Sequence, residues 1–257
     1  MINAWRWAGA RSTGTSHIKS GLPCQDYAAC IEFDTHAGNF LAAVVSDGAG
    51  SATKAAAGSR MVCVGFLRAA GEHFRQGLAI DDITDDLVLD WVDGIRERVN
   101  SFATRSGVRP RDCAATLVGL LAGPRSAIAI HIGDGAAVVR ECGNAEWIIP
   151  SWPYHGEYAS MTTFVTDDPT PIIQIERMPI RLDRIAVFSD GIERLVLDHS
   201  TRTAHGPFFD RMTAPLTASA VPGHDGSLST QLRAYLDGQA VCERTDDDKS
   251  LILGVRL

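Results

Sequence analysis

The chain has 257 residues, enough for one large domain or two small ones and for a substantial apolar core. Its 24 basic and 31 acidic residues give a net charge of -7 with no stripe of Lys and Arg, which argues against a nucleic-acid or anionic-membrane partner. The cysteines stand apart without a CxxC pair, MINAWRWAGARSTG lacks the apolar run of a signal peptide, and no apolar stretch reaches the roughly eighteen residues a membrane span needs; the expectation is a soluble, cytoplasmic, monomeric protein in a reducing compartment.

No linker rich in Pro or Ser divides the sequence, so residues 1–257 read as a single domain. Residues 2–10, with Ile2, Trp5, Trp7 and Ala8, suggest a first strand of imperfect alternation. A polar loop, TGTSHIKSGLPCQD, follows, with His17 and Asp26 as its notable side chains, and residues 27–33 make a second strand. The apolar run from Leu41 to Val45 is a third, ending at Asp47-Gly48, after which Gly50-Ser51 suggests a helix entry with Ser51 as its cap. Val62, Phe66, Ala69 or Ala70 and Phe74 then recur at helical spacing. Ile83, Leu87, Trp91, Ile95, Val99 and Phe102 mark a second long helix, whose aromatics belong to the core.

From Asp112 onward CAATLVGLLAG, SAIAIHIGDG and AAVVREC predict three strands of an antiparallel meander, with His131 as a partnered interior histidine. Residues 143–181 are irregular and rich in Pro, Trp and Tyr, as expected of a functional flap. A strand into Asp190, a short helix over 192–197, partial helix over 206–221, a helix over 227–237 and a last strand over 251–257 complete the order. Helices and strands come in blocks instead of alternating, so the fold class is α+β, with antiparallel sheets covered by helices.

One pattern recurs along this order: an apolar strand that ends in an aspartate. Asp47-Gly48, Asp134-Gly135 and Asp190-Gly191 share it, and TDDDKSLILGVRL runs it backwards with Asp247 before the strand. A lone Asp-Gly is an ordinary turn signal, but four such strands sharing a sheet edge would make their acids converge. Two carboxylates about 4 Å apart repel by about 1 kcal/mol in water and about 4 kcal/mol at an effective dielectric near 20. A marginally stable domain does not carry several such pairs uncompensated. Either the acids titrate or a cation sits among them, and oxygen-only donors suit hard divalent ions such as Mg2+ or Mn2+.

The succession of Asp26 in CQD, Asp47 in SDGAGSA, the strand AATLV, Asp134 in IGDG, Asp190 in FSDGIE and Asp247 in DDDKSLIL resembles the metal-dependent serine/threonine phosphatases of the PP2C (PPM) family. The likeness covers nearly the whole chain, and GTSH followed by GLPCQD resembles a bacterial branch. It implies a β-sandwich of two antiparallel sheets with helices on each outer face and a two-metal site at one edge, using Mn2+ or Mg2+. By this resemblance Asp47 bridges both metals, the carbonyl of Gly48 binds one, Asp190 and Asp247 bind the other, and Asp26 acts through water. Asp134 with Asp190 would hold a third, weaker ion. The implied activity is hydrolysis of phosphoserine and phosphothreonine in proteins by an activated water, without a covalent intermediate. A non-catalytic module that recognises a phosphorylated partner, or a hydrolase of small phosphate esters, stands as the alternative.

Two positions depart from the family. Gly21 stands where many members have a phosphate-holding arginine, and Ala49 stands where well-studied eukaryotic members have a histidine after Asp-Gly. His17, then Lys19 and Arg11, are the candidates for gripping the substrate phosphate instead.

Overall fold

The computed structural model describes residues 4–154 and 162–256. Ile2 of the expected first strand and residues 155–161 of the expected flap lie outside the described residues. In chain order the elements are β1 (Trp5–Ser12), α1 (Thr15–Ser20), β2 (Tyr27–Thr35), β3 (Gly38–Ser46), α2 (Ala55–Arg75), α3 (Asp85–Ser106), β4 (Leu117–Ala122), β5 (Ala127–Ile132), β6 (Ala136–Glu141) and β7 (Trp147–Ile148). There follow β8 (Gln174–Met178), β9 (Leu182–Phe188), α4 (Asp190–Val196), β10 (Leu197–Asp198), β11 (Thr203–Ala204), α5 (Gly206–Ala218), β12 (Gly223–His224), α6 (Gly226–Leu236), α7 (Gln239–Cys242) and β13 (Lys249–Arg256).

The continuous apolar run of β3 has a simple cause: both of its faces are covered. Ala42 and Val44 pack toward α2 and α3, whereas Leu41, Ala43 and Val45 pack toward a second sheet. Such double burial removes the polar half of the usual alternation. Alternate residues of β13 divide in the same way, with Leu251, Leu253 and Val255 against α5 and α6 and Ile252 between the sheets. The result is four layers, helix, sheet, sheet, helix. One sheet has the order β2-β3-β4-β5-β8 and the other β12-β1-β13-β9-β6-β7. Neighbouring strands are antiparallel except β12, which runs parallel to β1.

Several expectations are corrected. The meander fails at its third strand. β4 and β5 pair with each other, but β6 leaves for the opposite sheet, where it pairs with β9. Gly133, at φ 117°, lets the chain turn out of β5 into a conformation that L side chains rarely adopt. Ser51 does not cap a helix: α2 begins at Ala55 after a turn, with Lys54 as its N-cap and no side-chain bond. The buried stripe of α3 runs through Val88, Val92, Ile95, Val99 and Ala103, one step round from Leu87 and Trp91, which are only partly buried, and Thr84 caps the helix by accepting from the Leu87 N–H. The last part of the irregular segment is regular, since β8 forms the edge of the five-stranded sheet. Among the described residues no helix is long and apolar enough to cross a membrane.

Phe66 shows how tightly the outer helices sit. It is 1% exposed, a Cβ on Gly119 of β4 would lie 2.5 Å from its ring, and the Trp91 ring meets it edge-on at 6.3 Å. Phe66→Ala leaves a cavity that no neighbour can fill and is expected to cost about 3–5 kcal/mol. Thermal unfolding followed by circular dichroism should show a midpoint lowered by on the order of 10 °C. A shift within experimental error would contradict this packing.

Candidate metal centre

Each acid of the strand-end pattern reaches the same edge of the sandwich by a different local device. Asp47 follows the last residue of β3, where its N–H donates to Thr116 Oγ1 at 2.9 Å and its carbonyl accepts from the Thr116 N–H at 2.8 Å. Asp134 sits in the corner that carries the chain from β5 to β6, between the two sheets. Asp190 opens α4 directly after β9. Its neighbour Gly191 lies against the carbonyl of Asp248, so closely that any Cβ there would collide with it. That contact sets the start of α4 on the turn bearing Asp247 and Asp248.

Asp47, Asp134 and Asp190 each offer a carboxylate oxygen, and these oxygens lie within 4.8 Å of one another. Asp26 is 1% exposed; its Oδ2 accepts from Ser189 Oγ at 2.6 Å, and its carboxyl lies near enough to that of Asp47 for the two to shift each other's protonation. Asp247 is not a member of the tight triad and is more exposed, but its charge acts on both Asp47 and Asp190. Gly48 is buried beside Asp47 and forms an isolated bridge with Ala115.

The electrostatics are those of a site built for a cation. Burial, followed by the charges of Asp26 and Asp190, pushes the Asp47 carboxyl well above the usual carboxylate range. Asp190 is raised in the same way by burial and by Asp134 and Asp247. Burial lifts Asp26 to about 6, against the hydrogen bond it accepts from Ser189. Asp26 Oδ1 and Asp190 Oδ1 are buried with no hydrogen-bond partner among the described residues. Orphaned carboxylate oxygens beside a triad of oxygen donors fit a hard divalent ion.

The phosphate-gripping candidates are placed less uniformly. Arg11 is exposed, donates from Nη1 to the Asp26 carbonyl at 3.0 Å and lies over the Tyr27 ring. Lys19 is exposed in the last turn of α1 and makes no ion pair among the described residues. His17 bonds through Nδ1 to Asp248 Oδ2 at 2.9 Å. His131 is fully buried, with Nδ1 against Ser151 Oγ at 2.8 Å and a pKa pushed down to about 4 by burial. Sequence reasoning set Asp246 and Asp248 aside in favour of Asp247, which takes the first place of Asp-Asp-x-Ser, and passed over Ser189 and Thr116. Only Asp248 carried a signal, as a second acid in Asp-Asp-x-Ser before an apolar strand.

A four-layered sandwich with an acid cluster at one sheet edge defines a class of metal-dependent hydrolase, and comparison narrows it. The family model for Protein phosphatase 2C matches residues 13–237, and the chain belongs to that family. It is 35% identical over 257 residues, 98% of each chain, to Serine/threonine-protein phosphatase 3 of Escherichia coli (strain K12). Among solved structures it is similar to PppA, a regulatory component of T6SS in Pseudomonas aeruginosa, with TM-score 0.62, 16% identity and 100% and 99% of the two chains covered. It is also similar to the catalytic domain of the phosphatase PstP in complex with two manganese ions, with TM-score 0.57, 16% identity and 99% of both chains covered. These structural likenesses show the fold.

Crowded acids make the metal-free fold pH-sensitive in a defined direction. Asp26 takes up its proton near pH 6 when folded and near its ordinary 3.8 when unfolded, so between these values the folded state binds more protons. The stability that Asp26 contributes is therefore greatest below about pH 4 and is lost as pH rises to about 6, a slope that Asp47 and Asp190 extend. In calorimetry with chelator the unfolding midpoint should fall over this window. Mn2+ at about 100 times its Kd should restore about 2.7 kcal/mol. A metal-free midpoint that rises with pH would contradict the site.

Proposed function

We propose that this chain is a phosphoprotein phosphatase that hydrolyses phosphoserine and phosphothreonine with Mn2+ or Mg2+, two ions per chain and a third, weaker one. The assembly of Asp47, Asp134 and Asp190 within 4.8 Å, in a chain of the Protein phosphatase 2C family, carries this reading. The named activity of the full-length relative supports it and disfavours a non-catalytic module or a small-ester hydrolase. Asp47, Asp190, Asp247 and the Gly48 carbonyl would hold the two ions, Asp26 would act through water, and Asp134 with Asp190 would take the third. When bound, such ions supply a nucleophilic water at neutral pH and offset the charge of the phosphoryl oxygens.

The chain's own groups prepare that chemistry. Thr116 fixes the backbone of Asp47 from both sides, and Ser189 aims Asp26 at the cluster. Cys24, two residues from Asp26, has its thiol pushed up to about 12, chiefly by burial, and burial also raises the Cys63 thiol well above its ordinary value. Neither is a thiolate at neutral pH, which favours direct attack by water over a phosphocysteine route.

The expected flap supports a protein substrate. Ser151 is tied to His131, and the Tyr154 N–H donates to the Gly133 carbonyl, next to Asp134. A groove of about 630 Å3 opens beside this anchor, lined by Trp147, Trp152, Tyr154, Gln174 and Arg202. It would receive the polypeptide around a phosphorylated side chain made by a serine/threonine kinase. We place the reaction in the cytoplasm and assign it to the monomer.

Phosphate release from a phosphothreonine peptide tests the reading. Turnover should require Mn2+ or Mg2+, and Asp47→Asn and Asp190→Asn should each lower kcat by roughly 100-fold or more. Metal-independent turnover, or full activity in both variants, would refute it.

A further inference from the structure

The Asp248 carboxylate lies at the centre of a knot. It is 1% exposed and accepts three hydrogen bonds: from the Gly14 N–H at 2.6 Å, from the Gln25 N–H at 2.5 Å and from His17 Nδ1 at 2.9 Å. The first two tie the loop before Asp26 to the start of β13. The third does something different, because it fixes an imidazole ring and settles which nitrogen is engaged. With Nδ1 on Asp248, His17 keeps Nε2 without a hydrogen-bond partner among the described residues, in a side chain 15% exposed. The ring lies beside the turn that carries Asp247, whose carboxyl burial raises above its ordinary range. Asp134 and Asp190 lend the cluster only more negative charge, and Ala49 is buried among Ala52, Ala55 and Ala114 with no side-chain donor.

The reaction needs such a donor. Cleaving phosphorus from a serine or threonine oxygen expels an alkoxide, a far more basic leaving group than a phenolate. We propose that His17 is the proton donor to that leaving oxygen and that Asp248 is the residue positioning it, an inference resting on the phosphatase reading above. Water oxygen forms the new bond to phosphorus and its proton passes to solvent. The bond from phosphorus to the side-chain oxygen breaks, and the departing electron pair takes the proton from Nε2. The imidazole is left neutral with its Nδ1–H still on Asp248, and regains a proton from solvent at its exposed edge. This role differs from the phosphate grip expected for His17 from sequence.

Two variants separate the roles of the two nitrogens. His17→Asn keeps a donor at the Nδ1 position for Asp248, whereas His17→Gln places its amide near the Nε2 position. Each would be assayed on a phosphothreonine peptide and on nitrophenyl phosphate, whose leaving group needs no proton, with Mn2+ affinity by calorimetry and the unfolding midpoint measured alongside. Both variants should lose roughly 100-fold or more in kcat on the peptide with KM little changed, and less than about five-fold on nitrophenyl phosphate. Mn2+ affinity should match wild type. Equal losses on both substrates, recovery of peptide turnover in His17→Asn, or a fall in Mn2+ affinity that tracks the lost activity would overturn the proposal. A wild type inert toward both substrates would overturn the phosphatase reading itself, and this step with it.

Discussion

Mutual repulsion among buried carboxylates is the constraint around which this fold is arranged. Asp26, Asp47, Asp134 and Asp190 come from four separate segments, and burial raises the proton affinity of Asp26, Asp47 and Asp190. A chain selected for stability alone would not bring them together, since each additional charge in a partly buried cluster raises the cost of the others. The surrounding structure holds them in place regardless. Ser189 and Thr116 fix them by hydrogen bonds, and Gly191 packs without a side chain against Asp248. A divalent cation bound among them would relieve that repulsion.

Much of this architecture is visible in the sequence because the relevant signals are local. The apolar run of β3 and the spacing of α2 place a strand and a helix without knowledge of their partners, and the Asp-Gly ends mark the acids directly. The resemblance to the PP2C family extends this to the layered sandwich. What stays hidden depends on residues distant in sequence. Nothing in AIAIHIGDGAAVV distinguishes a hairpin from a crossing between sheets; the choice is made by β9 and β7, which supply partners for β6 in the other sheet.

The site is only partly legible for the same reason. Asp47, Asp134 and Asp190 carry a motif and are found together. Asp248 carries little beyond its place beside Asp247, and its importance comes from Gly14, His17 and Gln25, more than two hundred residues earlier in the chain. Sequence ranks His17 ahead of Arg11 only through its place in GTSH and shows no partner for either. In the fold one spends its guanidinium on a backbone carbonyl and an aromatic face, and the other is aligned by a buried acid.

The corner at Gly133 to Gly135 has a mechanical consequence. Asp47 belongs to the five-stranded sheet, Asp190 and Asp247 flank strands of the six-stranded sheet, and Asp134 stands where the chain passes from one to the other. An ion held by these residues, as proposed above, would work as a rivet through both sheets. Any sliding of one sheet over the other would shear its coordination, so the ion proposed for the chemistry would also fix the spacing of the sandwich at its open end.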